Sequence, residues 1–181
     1  MVQGMLLVKT GARRVTREEL HALPTPEPRG RCHAIVPHGA LVDTVEADLS
    51  AAGYMIRNSE YAIQRGNNQL FAVMTLASAV SGQDLLAVGL RSSYDQSLQL
   101  GLCAGTRTMV CSNLAFRSDL INISRKHTHG NIRSGVFNVE VKEAISRLSQ
   151  FREVEETRIK TLCEARLSQG QAFALIVQAV R

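Results

Sequence analysis

The run Leu85–Gly130, LLAVGLRSSYDQSLQLGLCAGTRTMVCSNLAFRSDLINISRKHTHG, decides how this chain is read. Its opening, LLAVGLRSS, has the apolar content and polar close of a strand. At Ser93 the pattern changes. Ser93 and Gln96 stand at capping-box spacing, and Asp95 suits the positive end of a helix dipole. A short helix is therefore expected, with Leu98 and Leu102 on one face and Gly105 as its stop. TRTMVCS (106–112) returns to extended alternation, NLAFRSDLINIS reads as short strands or turns, and the run closes on the basic, histidine-rich RKHTHG.

Working toward the N-terminus, YMIRNSEYAIQ (54–64) and LFAVMTLAS (70–78) read as two further strands, separated by the turn-rich RGNNQ. SGQ at 81–83 supplies the next turn. Links this short favour an antiparallel meander. One face should pack on helices and the other meet solvent or a partner, with Arg57, Arg65 and Arg91 placed on the open side. Leu41, Val45, Leu49 and Ala52 recur at helical spacing between Pro37 and Gly53, which predicts an amphipathic helix there. Residues 1–31 contain Pro24, Pro26, Pro28 and Gly30 and read as an N-terminal arm, with one helical turn marked by Thr16 and Glu19.

Toward the C-terminus, Val141, Ile145, Leu148, Phe151, Ile159 and Leu162 predict a long amphipathic helix over about 138–166. Ser168 and Gln171 then open a last apolar helix, QAFALIVQAV. The expectation is one α+β domain, residues 32–181: an antiparallel meander of three or more strands packed against helices.

Composition narrows the class. The 181 residues are 45% hydrophobic and 20% charged, ordinary for a globular domain. No apolar run approaches the roughly 18 residues of a bilayer span. The apolar patch Met5–Val8 precedes basic residues, the reverse of a secretory signal. Cys32, Cys103, Cys111 and Cys163 form no CxxC pair, so a reducing, cytoplasmic setting is expected. The net charge is +5, and residues 54–133 carry eight Lys/Arg against four acids. The central body is therefore basic, which suits a polyanionic partner.

The centre also resembles a known family. Gly89, Leu90, Arg91, Ser93 and Asp95, then Ala104, Gly105, Arg107, Val110, Cys111, Asn113, Leu114, Ala115 and Phe116, and finally Lys126, His127 and Thr128 match motifs of the phage/plasmid-like family called domain of unknown function 932. The resemblance covers roughly residues 35–180. Members are usually longer, which implies a missing C-terminal portion, and their Asp-Gly hairpin turn is here Gly66-Asn67-Asn68. The order helix, three-stranded meander, helix is similar to the core of Rad fifty-two type single-strand annealing proteins, which form oligomeric rings with a basic groove.

The expected function is nucleic-acid binding by a homo-oligomer, with single-stranded DNA the favoured partner. Cations that track phosphates are Arg91, Arg107, Arg117, Arg125, Lys126 and Arg133, with His127 and His129 as further donors and Asn113 as a phosphate or base-edge contact. Tyr61, Tyr94 and Phe116 are the available stacking side chains. Three other readings compete. A metal-dependent nuclease would use Asp95, Asp119, His127 and His129; a cysteine nucleophile would pair Cys111 with His127; a partner-binding protein would use the arm and the last helix. No Walker loop or dinucleotide fingerprint is present. No catalytic residue, metal or cofactor is expected, and His33 and His38 flank a helix start without metal-ligand spacing.

Overall fold

The computed structural model describes residues 4–77, 84–105, 108–112, 116–118, 120–132, 136–164 and 171. Strand β4 (Gln69–Ala77), QLFAVMTLA, sits at the centre and is buried along most of its length. Its side chains alternate: Leu70, Ala72, Met74 and Leu76 join one apolar cluster, Phe71 and Val73 another. A strand buried on both faces needs a near-continuous apolar run. Around it lie β2 (Ala12–Val15), β3 (Ile56–Gln64), β5 (Asp84–Ser93), β6 (Leu100–Gly105) and β9 (Ile121–Arg125). They form one six-stranded antiparallel sheet in the order β2-β3-β4-β5-β6-β9. The expected α+β meander is present, with β2 to β6 neighbours in sequence order.

One face of this sheet is covered by α2 (His38–Ala51) and α4 (Val136–Glu164). Leu41, Val42, Val45 and Leu49 from α2, and Phe137, Val141, Ala144, Ile145 and Leu148 from α4, pack on Tyr61, Ile63, Val88, Leu90, Leu100 and Leu102. The helix that begins after Pro37 ends where the spacing predicts, with Gly53 at φ +78°. Glycine tolerates that left-handed conformation without a Cβ clash. The side chains of Ile159 and Leu162, and the helix expected after Ser168, lie outside the described residues.

The opposite face is not open. A small sheet of β1 (Gly4–Leu7), β7 (Thr108–Cys111) and β8 (Phe116–Arg117) lies across it, with β1 parallel to β7 and β8 antiparallel. Leu6 and Val110 meet Phe71, Val73, Ala87, Leu98 and Cys103 there. The approach is close: a Cβ on Gly89 would stand 2.4 Å from Val110 Cγ2 and 2.8 Å from Cys103 Sγ. The sheet is therefore sandwiched between helices and a second sheet of the same chain, where the expectation was a face open to solvent or a partner. Arg91 lies on this covered side.

Two further expectations change. Residues 4–22 are not a loose arm: β1 and β2 are paired, α1 (Arg17–Ala22) follows, and Leu6, Val15 and Leu20 are buried. Thr16 and Glu19 do form the predicted capping box, at 3.2 and 2.8 Å. Residues 24–32 are exposed and lie outside any helix or strand, as Pro24, Pro26 and Pro28 require. Second, Ser93–Gln99 is not a helix but the turn joining β5 to β6. Ser93 Oγ accepts from Leu98 N (2.9 Å), and Asp95 Oδ1 accepts from Ser97 N (3.0 Å). Ser and Asp side chains that cap helices close turns by the same local bonds. Leu98 and Leu102 consequently belong to different clusters, on opposite faces of the sheet.

Candidate nucleic-acid interface

The register across β5, β6 and β9 places Arg91 opposite Gly101 and Gly101 opposite Ser124. Gly101 contributes no side chain, so the Arg91 side chain crosses β6 and its Nη2 donates to Ser124 Oγ at 3.4 Å. The Phe116 ring lies over the guanidinium, 4.4 Å from Cζ to the ring centroid, a cation–π contact. A Cβ at position 101 would sit 2.8 Å from Phe116 Cε1 and 3.2 Å from Arg91 Cγ. The absence of that one carbon makes the slot.

Arg91 is half-buried, and burial lowers its pKa, though an arginine stays charged near neutrality. Among the described residues no carboxylate pairs with it, and its buried Nε has no hydrogen-bond acceptor. Several other arginines are spent on carboxylates. Arg13 pairs with Glu19, Arg14 with Glu60, and Arg17 with Asp43 and Glu46.

The remaining predicted residues divide. Arg117 follows Phe116 on β8 and is exposed, as is Lys126 just after β9. Arg125 bonds Glu140 on α4, which engages part of its charge. His129 is half-buried, and its backbone N–H is bound to the Cys32 carbonyl at 3.2 Å. His127 is 4% exposed and accepts a bond from Ser93 N at Nε2. Burial lowers its pKa to about 4. It is neutral at pH 7, and its expected role as a phosphate donor is withdrawn. Arg107, Asn113 and Arg133 lie outside the described residues, as does Asp119.

The stackers are also corrected. Tyr94 is buried flat against His38, with ring centroids 3.8 Å apart, and Tyr61 is buried with its hydroxyl donating to Glu46 at 2.8 Å. Phe116 supports Arg91. None of the three offers a bare ring to a base.

Two other places merit comparison. A cavity of about 570 Å³ is lined by Arg14, Arg17, Glu46, Arg57 and Tyr61. Its Glu46 is already engaged by Arg17, Ser59 and Tyr61, which ties α1 and α2 to β3. Among the described residues, no three His, Cys, Asp or Glu side chains converge as metal ligands. Cys111 is buried on β7 in the small sheet, whereas His127 is held at the end of the large one by Ser93.

Reading the sequence missed Ser124 and the function of Gly101. The signal for Gly101 was a glycine between Leu100 and Leu102 inside a strand. No protein-family profile, curated protein or solved structure matches this chain. Among the described residues, no helix is long and apolar enough to cross a membrane.

Proposed function

We propose that this is a nucleic-acid-binding protein, with single-stranded DNA its partner, acting as a homo-oligomer of phage or plasmid type and not as an enzyme. The observation that carries the reading is Arg91. A guanidinium half-withdrawn from water, with no carboxylate among the described residues to balance it, bears a desolvation cost that an incoming phosphate oxygen offsets. Its rigid seat between Gly101, Phe116 and Ser124 orients the fork before any ligand arrives, and guanidinium forks match phosphate geometry. Exposed Arg117 and Lys126 extend the track. With no free aromatic platform among the three expected, contacts along the backbone are favoured over base stacking.

The motif resemblance at Gly89–Asp95 and Ala104–Phe116 supports the phage or plasmid setting, and α2 followed by the meander supports comparison with annealing proteins. A partner-binding protein without nucleic acid is the rival reading.

The test is retention of labelled oligo(dT) across a salt series, with solution mass measured by light scattering alongside. Wild type should bind at low salt with log affinity falling linearly in log salt. Arg91→Gln should weaken binding about tenfold and reduce the salt slope by about one. Failure to bind even at low salt would remove the proposal, and a strict monomer would remove its oligomeric part.

A further inference from the structure

Three histidines are buried together at the end of the large sheet: His33 (2% exposed), His38 (0%) and His127 (4%). They join four segments. His33 forms a bridge with Thr128, flanked by Ala34 N–His127 O (3.1 Å) and His129 N–Cys32 O (3.2 Å). The His33 and His127 rings meet edge to face at 6.4 Å, and His38 stacks on Tyr94. Tyr94 N in turn donates to Asn68 O in the β3–β4 turn (2.8 Å).

Two of these imidazoles act as acceptors. His33 Nδ1 accepts from Arg29 N at 2.8 Å, and His127 Nε2 accepts from Ser93 N at 3.4 Å. Those bonds fix the tautomers: each ring carries its proton on the other nitrogen, and neither of those nitrogens has a partner among the described residues. A proton taken up at the accepting nitrogen turns acceptor into donor and sets it against a backbone N–H. The bond is then not weakened but reversed in sign.

We propose that this histidine cluster is an acid-sensitive latch, which releases the segments Arg29–Ala34 and Lys126–Ile132 from the end of the sheet while the sheet stays folded. The surrounding charges act as follows. Arg29 and His129 face His33 and oppose its protonation. His33 opposes protonation of His127, and Asp95 and the Leu98 backbone in the β5–β6 turn favour it. His38 faces His127, the backbone of Asn67 and Asn68, and the Tyr94 ring. Burial is the largest influence on all three and lowers each pKa, to about 4 for His38 and His127. A lowered histidine pKa stabilises the closed form fully above the ordinary value near 6.5, and that stability drains away as pH falls toward 4. The latch is therefore shut at pH 7 and weakens below about pH 6. It stands independently of nucleic-acid binding.

Hydrogen-exchange protection of single amides, read by NMR between pH 7 and pH 4 and corrected for the intrinsic rate, tests this. The amides of Ala34 and His129 should lose protection at least tenfold while those of β4 keep theirs. Unchanged protection, or loss in step with β4, would overturn the latch. In the double variant His33→Asn, His127→Gln, the amide oxygens can stand in for the accepting nitrogens without titrating, and protection should persist in acid. Should that variant not fold, the ring resonances of wild type decide. Opening that tracks protonation of His33 or His127 upholds the proposal, and opening without it refutes it.

Discussion

The slot that holds Arg91 depends on a missing atom. A side chain at position 101 must displace either the Phe116 ring or the arginine stem, and both are hemmed in by neighbouring strands. Gly101→Ala is expected to cost about 1–3 kcal/mol, the range for overpacking a tight site. Urea titration will measure it. The same variant should weaken oligo(dT) binding as Arg91→Gln does, although position 101 offers no charge. A Gly101→Ala protein of unchanged stability would show that the slot is looser than its distances. At this scale the sequence was only half legible. Arg91, Arg117 and Lys126 stand out as cations in a basic stretch, but a one-dimensional reading cannot say which cations lack a counter-charge. Arg125 looks identical to Arg91 in sequence, and only the fold brings Glu140 to it.

Among the elements, α4 is anchored at its N-terminal half. Leu148 is 1% exposed, while Val154, less than two turns on, is 63% exposed. Leu148→Ala should therefore cost about 2–5 kcal/mol and Val154→Ala close to nothing, as denaturation midpoints will show. Helices α2 and α4 were readable because a 3.6-residue apolar period admits few other structures, and Pro37 and Gly53 frame α2. Strands β3, β4 and β5 were readable from apolar runs broken by turn residues. The failure at Ser93–Gln99 has a definite physical source. Ser93, Asp95 and Gln96 carry the side chains of a helix start, and those groups serve a turn equally well. What settles the matter is the pairing of Leu100–Ala104 with β5 and β9, a non-local contact that no local pattern contains.

For the molecule as a whole, the least legible feature was the layer that covers the second face. β1 and β8 are four and two residues long, too short to announce themselves, and β1 was hidden in what read as an arm. Removing residues 1–8 should accordingly destabilise the entire domain, because Leu6 leaves the second apolar cluster. A drop in thermal midpoint of several degrees is expected by calorimetry; an unchanged midpoint would return the segment to the status of an appendage. The parallel pairing of β1 with β7 has one more consequence, for the order of events during synthesis. Gly4 and Thr108 are partners more than a hundred positions apart, so the first strand made must wait for one of the last strands of the body. From the synthesis of β4 to that of β7 the Phe71 and Val73 side of β4 has no cover, for roughly 2–6 seconds at about 5–20 residues per second. A growing chain with such a sticky, half-finished side is most prone to aggregate in that window.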